Sequence, residues 1–288
     1  MKVHNYNNFV LENYTSREIL TEDAFIHILR TKCSKYRHTL SHGVGSNPTL
    51  LYRTSTNRGD YTLFTKPTSP RYVKISGTLT GIINRLKSWK DYPNRLFSLL
   101  ASTNSYYPKL ILSYEESNSL NIVIPFDNSR IAVCPDVDFN SGNDYNTNFE
   151  YFNKIFDGKV NNKYVSPDMV MFSILGSYHN WKSNNKIINE YNNAILDHSV
   201  KAVGNYFERE GILSMVRACW DKHKGNYKSP FDMFIDGMDP DKNGFKIIKY
   251  GGDNRIFPNN EIWTTDNCLL ISKDKYDEFV EKGIIPSH

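Results

Sequence analysis

Arg53 closes the apolar run Leu50-Leu51-Tyr52 and is followed at once by Thr54 and Ser55. Arginine is rarely buried without a partner, and its planar fork of donors fits the oxygens of a phosphate or a carboxylate. This position therefore asks for an anion. A second apolar run, Phe97 to Ala101, ends in Ser102-Thr103 and continues through Asn104 and Ser105 into Tyr106-Tyr107. A third segment, Asn259-Asn260-Glu261-Ile262-Trp263, sets a carboxylate at the start of a strand-like run. The three pieces supply a fixed cation, a pair of hydroxyls and a carboxylate, each at the end of an element.

Other patterns carry less. Asp239-Pro240-Asp241-Lys242-Asn243-Gly244 opens like an EF-hand calcium loop, but Tyr250 stands at the twelfth position, where a bidentate Glu belongs. An Asx-rich turn is the expectation there. His38 and His42 have helical spacing, yet Gly43 follows and the Glu of a zinc-protease motif is missing, so they read as loop residues. Cys134, in Ala132-Val133-Cys134-Pro135-Asp136, has no base near it in sequence and reads as a small core residue. Arg71, Lys74, Arg85, Lys87, Lys90 and Arg95 alternate with Tyr72, Trp89 and Tyr92. That pattern suits a nucleic-acid or phosphate-binding face, or a solvated helix with its flanking loops. With a net charge of only +4 the solvated reading is preferred. No Cys, His and acid cluster has ligand spacing, so a metal-independent protein is expected.

The elements that must position these groups follow from periodicity. The chain has 288 residues, 39% hydrophobic and 23% charged, which suits a globular protein with a substantial core. Cys33, Cys134, Cys219 and Cys268 form no CxxC pair, against a zinc or disulfide framework and in favour of a reducing compartment. The N-terminal stretch lacks a signal-peptide core and no run has the length of a membrane span, so a cytoplasmic protein without membrane contact is expected. The first 48 residues read as helical, with capping-box spacing at Thr15-Ser16-Arg17-Glu18 and an apolar face of Phe25, Ile28 and Leu29. From Thr49 to Cys134 short strands dominate, among them LLYR, LFSLLAST, LILSY, LNIVIPF and RIAVC, with one helix near Leu79 to Ser88. The segment 148–224 reads as helical, and within it Ser166-Pro167 reads as an N-cap followed by Pro at the first helical position. After Ser229-Pro230 a loop-rich stretch is expected, then a last strand pair in EIWTTDNCLLIS. This order implies an α+β class and a single domain over 1–288, with an N-terminal helical segment and a helical insertion.

Arg, then Ser-Thr, then Glu, each on its own strand, resembles the Arg-Ser-Glu triad of the ADP-ribosyltransferase superfamily. WKDYPNRLFSLLAST and NNEIWTTDNCLLIS also look like phage and bacterial proteins of that superfamily. The resemblance covers about Thr49 to Ser272 and implies a split β-sandwich core with the triad at its cleft. It implies NAD as the substrate, with Arg53 and Thr54 on the pyrophosphate. Ser102 would hold Glu261 in place, Thr103 would support the strand edge, and Tyr106 or Tyr107 would stack on the nicotinamide. Cleavage of the nicotinamide–ribose bond passes through an oxocarbenium-like state, which a carboxylate at Glu261 would stabilise. Many members carry Glu or Gln two residues before the catalytic Glu. Asn259 stands there in this chain and cannot act as a base. The acceptor, host protein or nucleic acid, therefore stays open, as does plain NAD hydrolysis. A phage-encoded enzyme acting in the host cytoplasm is one expectation, and a non-enzymatic phage protein that binds a host or virion partner is the other.

Overall fold

In the computed structural model, residues 17–36, 50–55, 59–67, 77–106, 119–136, 149–157, 159–160, 163–176, 183–203, 207–251 and 260–286 are described. The expected strand LILSY, both loop histidines, Tyr107 and Asn259 lie outside them. In chain order the elements begin with β1 (Arg17–Ile19), α1 (Glu22–Lys32), β2 (Leu51–Ser55) and β3 (Tyr61–Phe64). Next come α2 (Gly77–Ile83), β4 (Leu99–Ser102), β5 (Ser119–Pro125), β6 (Arg130–Val133) and α3 (Glu150–Ile155). The short β7 (Lys159–Val160) and β8 (Lys163–Tyr164) lead into α4 (Pro167–Leu175), α5 (Asn184–Leu196), α6 (Phe207–His223) and α7 (Pro230–Gly237). The chain closes with β9 (Lys246–Lys249), β10 (Glu261–Thr264), β11 (Cys268–Ser272) and α8 (Lys273–Glu281). The class is α+β, as the strand and helix signals implied.

Two compact units form, one from 1–72, 92–138 and 246–288, the other from 73–91 and 139–245. The expected insertion 148–224 falls within the second unit, which runs on to 245 and also takes in 73–91.

The first unit is built on a nine-stranded antiparallel sheet in the order β1-β3-β11-β5-β2-β4-β10-β6-β9. It narrows in the middle. β2 meets β4 through one pair, Tyr52 with Ser102, whereas β2 shares five pairs with β5 and β4 shares four with β10. Successive residues of a strand point to opposite faces, and directly paired residues point to the same one. One face, including Ile122, Ile124, Leu269 and Ile271, packs under α1 and α8 against Phe25, Leu29, Tyr276 and Phe279. The other face gathers Leu51, Phe64, Val123 and Leu270 with Leu99, Ile131, Val133 and Ile262 into a cluster made of strand residues from both sides of the narrow junction.

Several local expectations change. Thr15 and Ser16 of the capping box lie outside the described residues, and Arg17–Ile19 behind them pairs with β3 as an outer strand and is not helical. The cap of α1 is Thr21, whose hydroxyl accepts from the Ala24 amide at 3.3 Å. Ser229-Pro230 opens α7 rather than a loop, with the Ser229 hydroxyl accepting from the Asp232 amide at 3.2 Å. The last two strands are not a hairpin: β10 pairs with β4 and β6, and β11 pairs with β3 and β5.

In the second unit, Ile187, Tyr191 and Ile195 form the buried stripe of α5, as their four-residue spacing predicts. Tyr191, Phe231 and Phe234 meet Phe152 and Phe156 in one aromatic cluster. Ser166 caps α4 by accepting from Met169 N at 3.2 Å. The calcium-like segment is a turn: Asp239 accepts from the amides of Asp241 and Lys242, and Asn243 donates to the carbonyls of Gly237 and Asp239. Nearby, Asp236 accepts from Lys242, Tyr151 and Tyr227. Burial pushes that carboxyl up, but the three hydrogen bonds outweigh it and hold it below its ordinary range. Arg217 closes the C-terminus of α5 by donating to the carbonyls of Ala194, Asp197 and Val200. Arg217→Ala is expected to cost about 1–2 kcal/mol. The check is a urea titration showing a lower midpoint at an unchanged slope.

Candidate functional site

β2, β4 and β10 are consecutive neighbours, so the strands that carry Arg53, Ser102 and Glu261 lie side by side. Ser102 is paired with Tyr52 on one side and with Glu261 on the other. These three side chains therefore share a face. All of this region is buried: Glu261 is 1% exposed, Ser102 5% and Thr103 6%.

Arg53 is one residue out of phase with that row. It pairs with Asn121 of β5 and shares the face of Leu51, a member of the strand-only cluster. Its Nη1 donates to the Leu100 carbonyl of β4 at 2.5 Å, next to the narrow junction. Burial pushes the Cys268 thiol well up, and the nearby Arg53 charge opposes that rise. Arg53 thus sits on the neighbouring strand but on the opposite face from Ser102 and Glu261. Thr54, its buried neighbour, returns to the face of Tyr52.

The strand ends around Glu261 are clasped by side chains. The Thr103 amide donates to the Asn260 carbonyl at 3.0 Å, and the Asn260 amide donates back to Thr103 Oγ1 at 2.8 Å. Asn260 Nδ2 donates to the Cys134 carbonyl at 2.7 Å, tying β10 to the end of β6. The Ser102 hydroxyl accepts from the Asn104 amide at 3.0 Å, and Asn104 in turn accepts from the Tyr106 amide at 2.8 Å. Tyr106 itself is 64% exposed beside this turn. Cys134 is buried, and burial together with the Glu261 charge pushes its thiol well up, which leaves it a poor nucleophile.

The partner of Glu261 is Arg95. Its Nη2 donates to Glu261 Oε1 at 2.5 Å, with the two side chains 2% and 1% exposed. Arg95 belongs to a 3₁₀ turn, Arg95–Phe97, capped by Asn94, whose Oδ1 accepts from the Leu96 amide at 3.0 Å. Trp263, two residues along the same face of β10, donates its Nε1 to the Pro93 carbonyl at 2.8 Å. The Arg95 guanidinium also lies 5.9 Å from the Trp263 ring centroid. The charge pattern predicts a solvated Arg95, whereas the structure buries it against a counter-ion. The readable signal was Asn94 as a cap in the run before β4, with an arginine one residue into the turn.

Among the described residues no group of His, Cys, Asp and Glu is arranged to hold a metal ion, and no helix is long and apolar enough to cross a membrane. No family model, curated protein or solved structure matches this chain.

Proposed function

We propose that the chain is an NAD-dependent mono-ADP-ribosyltransferase with an ADP-ribosyltransferase-like split sheet, in which Glu261 is the essential carboxylate. The observation that carries this reading is the register: Ser102 stands directly opposite Glu261, whereas Arg53, on the next strand, points to the other face and lends it no support. The narrow junction between β2 and β4 also supports a sheet in two halves. In the reaction the bond from ribose C1′ to the nicotinamide nitrogen breaks, with its electrons leaving on nicotinamide. An acceptor nucleophile then forms the new bond to C1′ and releases its proton. Glu261 supplies the negative charge that opposes the oxocarbenium-like state. Ser102 limits the carboxylate's position from the neighbouring strand.

Arg53 is held by the Leu100 carbonyl on the face away from Glu261, so a phosphate-clamp role for it rests on the family resemblance and not on this geometry. Arg53→Ala tests that role. As a clamp, its loss is expected to weaken NAD binding by about tenfold to a hundredfold, in line with a charge-assisted hydrogen bond of about 1.5–3 kcal/mol. Unchanged binding in a less stable protein would assign Arg53 to the sheet junction instead. Calorimetric titration of NAD with both proteins reads the difference.

The decisive assay incubates the purified protein with labelled NAD and a bacterial lysate, with and without nuclease. Label on protein identifies a protein acceptor, label lost to nuclease identifies nucleic acid, and free ADP-ribose alone identifies a glycohydrolase. A second reading is favoured by the burial of both Arg95 and Glu261: a partner-binding protein in which this pair pins a turn to the sheet. NAD neither bound nor consumed under any of these conditions selects that reading.

A further inference from the structure

The geometry points to Arg95 as the residue that positions Glu261 for turnover, an inference that rests on the transferase reading above. Glu261 and Trp263 stand two apart on one face of β10, and both reach the same short segment, 93–97. Trp263 Nε1 holds the Pro93 carbonyl, and Arg95 Nη2 holds Glu261 Oε1. The segment is also braced from within. The Asn94 carbonyl accepts from the Phe97 amide at 2.9 Å and from the Ser98 hydroxyl at 2.7 Å, and Asn94 Oδ1 accepts from Leu96 N. The guanidinium is therefore delivered by a turn whose own hydrogen bonds fix it, and whose second anchor is on the strand that carries the carboxylate.

A carboxylate on a flexible side chain rotates about its last two torsions. A charged donor seated on one oxygen removes much of that freedom before substrate arrives. Arg95 acts through Glu261 and needs no contact with NAD. Its role is distinct from that of a phosphate-binding arginine, which raises affinity for the ground state. Loss of a positioning group lowers kcat and leaves KM nearly unchanged.

The experiment measures kcat and KM for NAD, per folded molecule, in the wild type, Arg95→Lys, Arg95→Met, Trp263→Phe, Glu261→Gln and the Arg95→Met/Glu261→Gln double variant. Arg95→Met is expected to lower kcat by about a hundredfold, the cost of a misplacement of about 1 Å, with KM within about twofold. Lysine keeps the charge and loses the fork, so Arg95→Lys falls between the two. Trp263→Phe keeps an aromatic ring but loses the indole N–H that holds the Pro93 carbonyl, and lowers kcat by less than Arg95→Met. The double variant is no slower than Glu261→Gln alone. Wild-type kcat in folded Arg95→Met overturns the inference, as does a raised KM at constant kcat, which would place Arg95 on the substrate. If Arg95→Met does not fold, wild-type kcat in both Arg95→Lys and Trp263→Phe overturns it. An active wild type with these negative results leaves the transferase reading standing, whereas a wild type that never consumes NAD removes both.

Discussion

Glu261→Gln is expected to reduce NAD turnover by about a hundredfold to a thousandfold while NAD still binds. The size follows from the role. A preorganised charge aimed at a developing charge contributes about 3–4 kcal/mol to the transition state and little to the ground state. Glutamine keeps the shape and one carbonyl oxygen, so Arg95 Nη2 retains an acceptor and the pair with Ser102 across the strands is undisturbed. What disappears is the negative charge opposite the oxocarbenium-like state. The measurement is single-turnover release of nicotinamide beside an independent NAD titration. Equal loss of binding and turnover would show that Glu261 holds the sheet together rather than serving chemistry. The burial of Glu261 at 1% makes that control necessary, because a neutral residue paired with a buried arginine also changes stability.

The strands of this site are legible in the sequence because each is a short apolar run with a polar group at one end, a local pattern. Their adjacency was not local. β4 and β10 are more than 150 positions apart, and nothing between them encodes that Ser102 stands opposite Glu261. For the same reason β10 and β11, close in sequence and both strand-like, were read as partners, although they sit in different halves of the sheet. The face of Arg53 was within reach of simple counting. If Leu51 points into a core, Arg53 does too, and Tyr52 takes the face of the next strand's serine. Arg95 was missed for a different reason. Its run is rich in Lys and Arg, and composition averages over them, whereas among the described residues of that run, which leave out Arg71 and Lys74, burial singles out Arg95. Ser166 shows how far caps carry, since the Ser-Pro pair marks the start of its helix and the structure gives it the side-chain bond. At Asn94 the apolar run Leu96-Phe97 reads as strand and hides the capped turn. The Thr15 capping box shows where caps fail, since strand pairing with β3 claims Arg17–Ile19 first.

Arg95→Met alone is expected to destabilise the protein by about 3–5 kcal/mol, and Arg95→Met/Glu261→Leu to recover most of that loss. Removing one member of a buried pair leaves the other charge with its desolvation cost and without its closest compensation. Glu261 has Cys134, Ser102 and Trp263 around it, and none of these replaces a guanidinium. Removing both charges replaces the pair with apolar groups of similar length, on a face where buried Leu100 and Trp263 already stand. The asymmetry between the single and double variants is the informative quantity, because it reports the coupling of the two side chains without reference to any ligand. Guanidinium chloride unfolding of the wild type, both single variants and the double variant supplies it. A double variant as unstable as the sum of the singles would mean that the two residues are held by other partners. The 2.5 Å contact would then not be what fixes the carboxylate, and Glu261 would have to be positioned by the Thr103–Asn260 clasp alone.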